Sequence, residues 1–189
     1  MSSTAEDLIH RHRYTVEDYY RMGEVGILAP NARVELIDGE VIEMPPIGAP
    51  HASIVTDLQT ALVRAVGDVA VVRVQNPIEL GRHDEPQPDI ALVRPPASKY
   101  RRRHPAPADI LLLIEVADTT LRYDRDVKIQ LYGRAGIPET WLLDVNARAI
   151  RCYRAPSHTG YLESEPLTDV TAVRVPGLES VQLDLSRLL

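Results

Sequence analysis

Two carboxylates in this chain sit where nothing local can serve their charge. Asp89 follows Pro88 directly before the apolar run Ile90-Ala91-Leu92-Val93, and Glu115 closes the run Ile110-Leu111-Leu112-Leu113-Ile114. An ionised carboxylate at the end of a buried strand costs several kcal/mol unless it is paired, hydrogen-bonded or bound to a metal. Two such groups side by side repel, and a divalent cation relieves both penalties at once. Hard oxygen donors with room for water suit Mg²⁺ or Mn²⁺. On these two residues alone, the metal site stands level with a plainer reading, in which Asp89 caps a turn and Glu115 pairs with an arginine. Lys128 tips the balance. Counted from Asp124 it lies in the second turn of a predicted helix, and Tyr132, four residues on, shares its face. A packed Tyr132 would deny that face to solvent. A lysine beside two acids and a metal can hold or help deprotonate an attacking water, or neutralise charge on a phosphoryl transition state. Its plain reading is a surface lysine in the Asp124/Arg125/Asp126 charge cluster.

The elements that must position these groups follow from periodicity and turn chemistry. Thr15, with Asp18 three residues on, predicts an N-cap and a short helix ending near Gly23. Arg33 to Ile37 and Glu40 to Met44 alternate around Asp38-Gly39, a hairpin with a type I′ turn. Ile54, Leu58, Ala61, Leu62 and Ala65 recur at helical spacing, predicting a long helix from His51 to Val66 ended by Gly67. Val69 to Val74 reads as a strand that Asn76-Pro77 interrupts and Ile78 to Leu80 resumes. The runs Ile90–Val93 and Ile110–Ile114 have the continuous apolarity of central strands. Asp124 is expected to cap a helix running to Ala135, stopped by Gly136 and Pro138. Trp141 to Asp144 and Ile150 to Tyr153 follow as strands, and Gly160 to Leu189 holds short strand-like pieces around a Pro176-Gly177 turn. The class is α/β, a mixed (α+β) sheet flanked by helices.

The 189 residues suit one domain, and 44% hydrophobic with 25% charged residues is the profile of a folding globular chain. The one cysteine, Cys152, cannot form an internal disulfide. Met1-Ser2-Ser3-Thr4 leads into Glu6 and Asp7 instead of an apolar signal core, so a cytoplasmic protein without a membrane span is expected. A net charge of −6 argues against coating nucleic acid by bulk electrostatics. It leaves open a local strip, Lys99-Tyr100-Arg101-Arg102-Arg103-His104, flanked by prolines: a solvated charge run in an exposed loop, or a phosphate-binding strip. Trp141 is expected in the core beside the Lys128 helix, Tyr19 and Tyr20 as anchors of the first helix, and Cys152 as a small strand residue. His10, His12, His83, His104 and His158 lack the mutual spacing of a zinc site.

The ordered segments Val34-Glu35-Leu36-Ile37-Asp38-Gly39-Glu40, His51, Gln87-Pro88-Asp89-Ile90, Glu115-Val116, Asp124 to Lys128 with Leu131-Tyr132, and Gly136 to Trp141 span Tyr14 to Tyr153. Together they resemble the Uma-two family of restriction-endonuclease-like proteins, within the PD-(D/E)XK nuclease superfamily. The resemblance implies a restriction-endonuclease-like core with an N-terminal helix and β-hairpin. It further implies Asp89 as the motif aspartate, Glu115 as the second acid and the Val116 carbonyl as a further metal ligand. The superfamily pattern has lysine two residues after Glu115, where this chain has Ala117, so the lysine role passes to Lys128. Glu35 and His51 match other family positions: Glu35 as a direct or water-mediated ligand, or else a solvent-facing hairpin acid, and His51 as a proton carrier or phosphate contact, or else an ordinary helix-start histidine.

The expectation is therefore a single domain over 1–189, with a core over 14–153 and a strand-rich C-terminal extension over 154–189. Its function is Mg²⁺- or Mn²⁺-dependent hydrolysis of phosphodiester bonds, with DNA as the substrate class implied by the resemblance. The catalytic set is Asp89, Glu115, Lys128, Glu35 and His51, with Asp89, Glu115 and Val116 on the metal. The competing expectations are a non-catalytic, homodimeric binding or regulatory protein that keeps the fold, and a hydrolase of a small phosphorylated molecule.

Overall fold

The fold is described from a computed structural model covering residues 11–188. Met1 to Thr4, Glu6, Asp7 and His10, all used in the sequence reading, lie outside the described residues.

A six-stranded sheet in the order β3-β4-β5-β6-β7-β8 forms the centre, with β3 Val71–Val74, β4 Ile90–Val93, β5 Ile110–Ala117, β6 Glu139–Asp144, β7 Ala149–Ser157 and β8 Gly160–Pro166. Only β5 and β6 run parallel; every other neighbouring pair is antiparallel. The parallel step is made by a helical crossover, as a parallel pair requires. β4 and β5 are buried along their whole length, as continuous apolar runs imply.

Alternation along β5 divides the core. Leu112, Ile114 and Val116 face helix α2 (Ala49–Val66), packing with Val55, Leu58 and Leu62. Leu113 packs on the opposite face with Tyr132 and Ile137, and Ala117 with Ile129. A two-stranded ribbon, β9 (Val173–Val175) and β10 (Leu178–Leu183), adds Val173, Val175, Val181 and Leu183 to the α2-side core.

The crossover is one helical segment in three pieces: α3 (Leu121–Tyr123), a π turn (Asp124–Lys128) and α4 (Ile129–Arg134). This corrects the expected cap. The Asp124 N–H already bonds the Thr120 carbonyl at 3.0 Å, so Asp124 lies inside the helix, and its carboxylate turns to the Thr120 hydroxyl at 2.5 Å. Gly136, at φ 80°, ends the segment as expected.

The N-terminal elements follow the sequence reading closely. Thr15 and Asp18 form a reciprocal capping box on α1 (Val16–Glu24). β1 (Val34–Ile37) and β2 (Glu40–Glu43) pair around Asp38 and Gly39, both at positive φ as a type I′ turn demands. Tyr19 and Tyr20 anchor α1, the first donating to the Val34 carbonyl and the second to Glu85 Oε1. Three details differ. Ile78 to Leu80 is not strand, because its N–H groups bond the Pro86, Pro105 and Asp84 carbonyls in a loop rather than a ladder. β5 runs two residues past Glu115, since it keeps β6 as a partner through Ala117 after β4 has ended. Trp141 is buried in the α2-side core, on the face of the sheet away from the Lys128 helix.

Two contacts set where the crossover helix and the hairpin sit. α4 lies directly on the β8 backbone at Gly133, where an added Cβ would fall 2.4 Å from the Gly160 carbonyl carbon. Gly133→Ala must therefore separate helix from sheet, and a loss of about 3 kcal/mol is expected. In a chain of this length that is a fall in melting temperature of roughly 6–12 °C by calorimetry.

The hairpin is tied to the rest by Glu85, whose backbone exchanges bonds with Leu36 and whose side chain is 2% exposed. Burial pushes the Glu85 carboxyl up from 4.5 to about 7, against the Tyr20 hydrogen bond and with the help of nearby Glu79. The native state thus keeps this proton to higher pH than the unfolded chain does, and the associated stability drains away as pH rises from about 4.5 to 7. The melting temperature of wild type relative to Glu85→Gln should fall across that window; parallel curves for the two proteins would refute the assignment.

Candidate metal and acid–lysine site

The site begins with the ladder between β4 and β5. Ile90 pairs with Ile114, so Asp89 and Glu115, one residue further out on each strand, come to the same end of the sheet. There β4 ends and β5 continues, which frees the β4-facing backbone of Val116. Its N–H donates to Asp89 Oδ2 at 2.9 Å. Because the N–H and C=O of one strand residue point the same way, the Val116 carbonyl faces this side too.

Asp89 is held from three directions. Besides Val116, Gln75 Nε2 donates to Oδ1 at 3.2 Å, and His51 Nε2 lies 3.0 Å from Oδ2. His51 arrives in the first turn of α2, and Gln75 just after β3, from a residue at φ 49°. Burial pulls the Asp89 carboxyl upward, but the His51 hydrogen bond and charge, Lys128 and the Val116 N–H outweigh it and hold it below the usual carboxylate value. The same hydrogen bond raises the His51 imidazole, and since the Asp89 carboxylate can only accept, Nε2–H is its donor. His51 Nδ1 is buried without a partner.

Glu115 is 2% exposed and shares its Oε1 between two donors: Tyr132 Oη at 2.5 Å and Lys128 Nζ at 2.9 Å. Lys128 Nζ also reaches Glu35 Oε1 at 3.2 Å, from a side chain 2% exposed. Glu35 is thus a buried acid of the hairpin, not a solvent-facing one. The π turn and the i, i+4 spacing bring Lys128 and Tyr132 to the same carboxylate. Burial drives the Glu115 carboxyl upward against the opposing Lys128 charge, with Asp89, Asp124 and Glu35 adding to the rise. Lys128 goes the other way: burial lowers it, but Glu115, Glu35, Asp124 and Asp89 together hold it firmly protonated.

These groups, Tyr132 apart, line a cavity of ≈ 160 Å³ that also contacts Arg33, Gln87, Asp118, Thr120 and Asp124. All six residues assigned from the sequence, Asp89, Glu115, Val116, Lys128, Glu35 and His51, fall on its wall. Sequence reasoning passed over Gln75 and Asp124 as site residues. Gln75 carries no local signal, since only the β3–β4 pairing brings it to Asp89. Asp124 had one: it stands four residues before Lys128, as Tyr132 stands four after.

Among the described residues no three His, Cys, Asp or Glu side chains converge as a ready metal cage, and Lys128 bridges two of the acids. The donor set nevertheless fits a hard divalent cation. Five acids, Glu35, Asp89, Glu115, Asp118 and Asp124, outnumber Arg33, Lys128 and His51 around the cavity, their donor atoms are all oxygen, and Glu35 Oε2 is buried with no partner at all.

Lys128→Met should leave these acids uncompensated and cost about 3–5 kcal/mol, read as a lower melting temperature. Added Mg²⁺ should then raise the melting temperature of the variant more than that of wild type, because the cation replaces the missing ammonium. An equal response in both proteins would show that no cation settles among these carboxylates.

A family model named Uma2 and described as "Putative restriction endonuclease" matches residues 16–186. Among solved structures, a crystal structure titled as a "putative nuclease belonging to DUF820" from Anabaena variabilis ATCC 29413 superposes with a TM-score of 0.68 at 18% identity, over 92% of this chain and 96% of that one. At that identity the likeness establishes the fold. The search of curated proteins returned no match.

Proposed function

The chain belongs to the Uma2 family, and from that membership and the acid–lysine site we propose that it is a metal-dependent nuclease hydrolysing phosphodiester bonds of DNA. The observation that carries this reading is the arrival of Lys128, from a separate helix, on the carboxylate of Glu115 beside Asp89. The strand position where the superfamily pattern has lysine is Ala117, fully buried on the Glu115 face, and Lys128 supplies the ammonium from above instead.

Asp89, Glu115 and the Val116 carbonyl would hold the cation, Mg²⁺ or Mn²⁺, with Glu35 Oε2 as a further donor. When bound, the cation supplies Lewis-acid stabilisation of the scissile phosphate and a more acidic water. The remaining roles fall to the chain itself. Lys128 donates to the attacking water and balances negative charge as it grows. Tyr132 and Lys128 fix the rotamer of Glu115, and Gln75 and the Val116 N–H fix that of Asp89. His51, oriented by its hydrogen bond to Asp89, would offer its Nδ1 side to a phosphate oxygen or to the leaving group.

A second reading, a non-catalytic binding protein that keeps the fold, is favoured by the net charge of −6 and by the engagement of Lys128 in two ion pairs. One experiment separates the two. The full chain is incubated with plasmid and oligonucleotide DNA in Mg²⁺ or Mn²⁺, beside Asp89→Asn and Glu115→Gln. Cleavage by wild type is expected, with losses in both variants beyond the ~10–100-fold typical of residues that only orient a ligand. Wild type that binds the cation by calorimetry yet cuts nothing would eliminate the nuclease.

A further inference from the structure

The basic strip Lys99 to His104 is not a loose loop. Lys99 and Arg103 both pair with Asp109, whose side chain is 7% exposed and also accepts the Ala106 N–H. Between them Tyr100 is buried, its hydroxyl donating to the Arg94 carbonyl at 2.6 Å and its ring met by the cations of Arg73, Lys99 and Arg103 at 5.6–5.9 Å. Four of the strip's residues thus fasten it: Lys99, Tyr100, Arg103, and His104, whose Nε2 lies 2.8 Å from the Tyr20 hydroxyl. The two left over, Arg101 and Arg102, are exposed and make no ion pair among the described residues. Two adjacent unpaired guanidiniums on a pinned backbone, in a chain of net charge −6, form a local positive projection whose ordering is already accomplished by the fold.

The projection borders a cavity of ≈ 420 Å³ whose wall also includes Tyr20, Glu79 and Glu85. Its wall includes Glu85, which pairs with Leu36, and the residue before Leu36 is Glu35 of the acid–lysine cluster. Glu85 thus ties the wall of the second cavity to the strand that carries Glu35. Of the acids on the second cavity's wall, Glu85 is buried against Tyr20, while Glu79 is exposed. Planar guanidiniums with fixed backbones match phosphate oxygens, and a contact of this kind positions a nucleic acid without reading its sequence.

We propose that the Lys99–His104 loop is a phosphate clamp, in which Arg101 and Arg102 grip the backbone of the DNA to one side of the acid–lysine site. The assignment rests on the nuclease reading. It accounts for how an acidic protein holds a polyanion: affinity comes from a small pre-ordered contact, not from the field of the whole molecule.

The test is the salt dependence of binding to a fluorescently labelled duplex, measured by anisotropy in EDTA and again with Ca²⁺. The proteins compared are full-length wild type, Arg101→Ala/Arg102→Ala, Arg101→Lys/Arg102→Lys, and a charge-matched control, Arg64→Ala/Arg174→Ala, at exposed positions elsewhere. Loss of two phosphate contacts should lower the slope of log affinity against log salt by about 2 and weaken low-salt binding by about tenfold or more. The lysine pair should recover most of the slope, since a point charge still meets a phosphate. The control should match wild type. Equal losses in the alanine pair and the control, or an alanine-pair loss that lysine does not restore, would overturn the clamp while leaving the nuclease reading intact. A wild type that binds no duplex under either condition would overturn both.

Discussion

The shared ammonium of Lys128 is the interaction on which the site's architecture turns. It joins the hairpin through Glu35, the central strand through Glu115 and the crossover helix through its own backbone, all at side-chain exposures of 2–3%. A buried ion pair of this kind adds little stability relative to an apolar core, because desolvation consumes most of the Coulombic gain. Its consequence is specificity. With the acids in place, arrangements that withdraw Lys128 leave like charges buried together, so helix, strand and hairpin are held in one relation. The Tyr132 hydroxyl reinforces this by claiming the Glu115 oxygen that Lys128 also uses.

That arrangement depends in turn on a ladder that stops unevenly. β5 keeps β6 through Ala117 while β4 has already ended, and the backbone amide released at Val116 is taken up by Asp89. An unpaired strand amide would be a defect in an ordinary core; here it fixes the rotamer of Asp89. The close passage of Gly133 over Gly160 serves the same end from the other side, letting the crossover helix sit low enough for Lys128 and Tyr132 to reach the sheet.

What could be read from the sequence divides by the range of the interaction. Asp89 and Glu115 were legible because apolar runs mark central strands, and a carboxylate at the end of one demands a partner. Lys128 and Tyr132 were legible through helical spacing. Glu35 was ambiguous because alternation says which residues share a face but not whether that face meets water, and in β1 the residues from Glu35 to Ile37 are all buried. Asp124 was misread because local cap preference favours Asp at a helix start, whereas here Thr120 and the Lys128 charge draw it inside. The face of Trp141 required knowing that Glu115 pairs with Leu142, a register that no local pattern encodes.

The distribution of charge then becomes intelligible as a single design. Acids are concentrated inside, where their repulsion is offset by Lys128 and His51, while the unpaired arginines stand outside on a loop fastened by Asp109 and Tyr100. On the nuclease reading, a phosphate approaching the cavity meets a surplus of carboxylate, and neither Lys128 nor His51 alone cancels it. The negative interior therefore favours a cation over an anion as the first occupant, and phosphate becomes a welcome neighbour only after that surplus is neutralised. Attraction of the polyanion must meanwhile come from outside the cavity. On the same reading, separating the two tasks in space would let the acids remain numerous enough to hold a hard cation without repelling the substrate from the protein altogether.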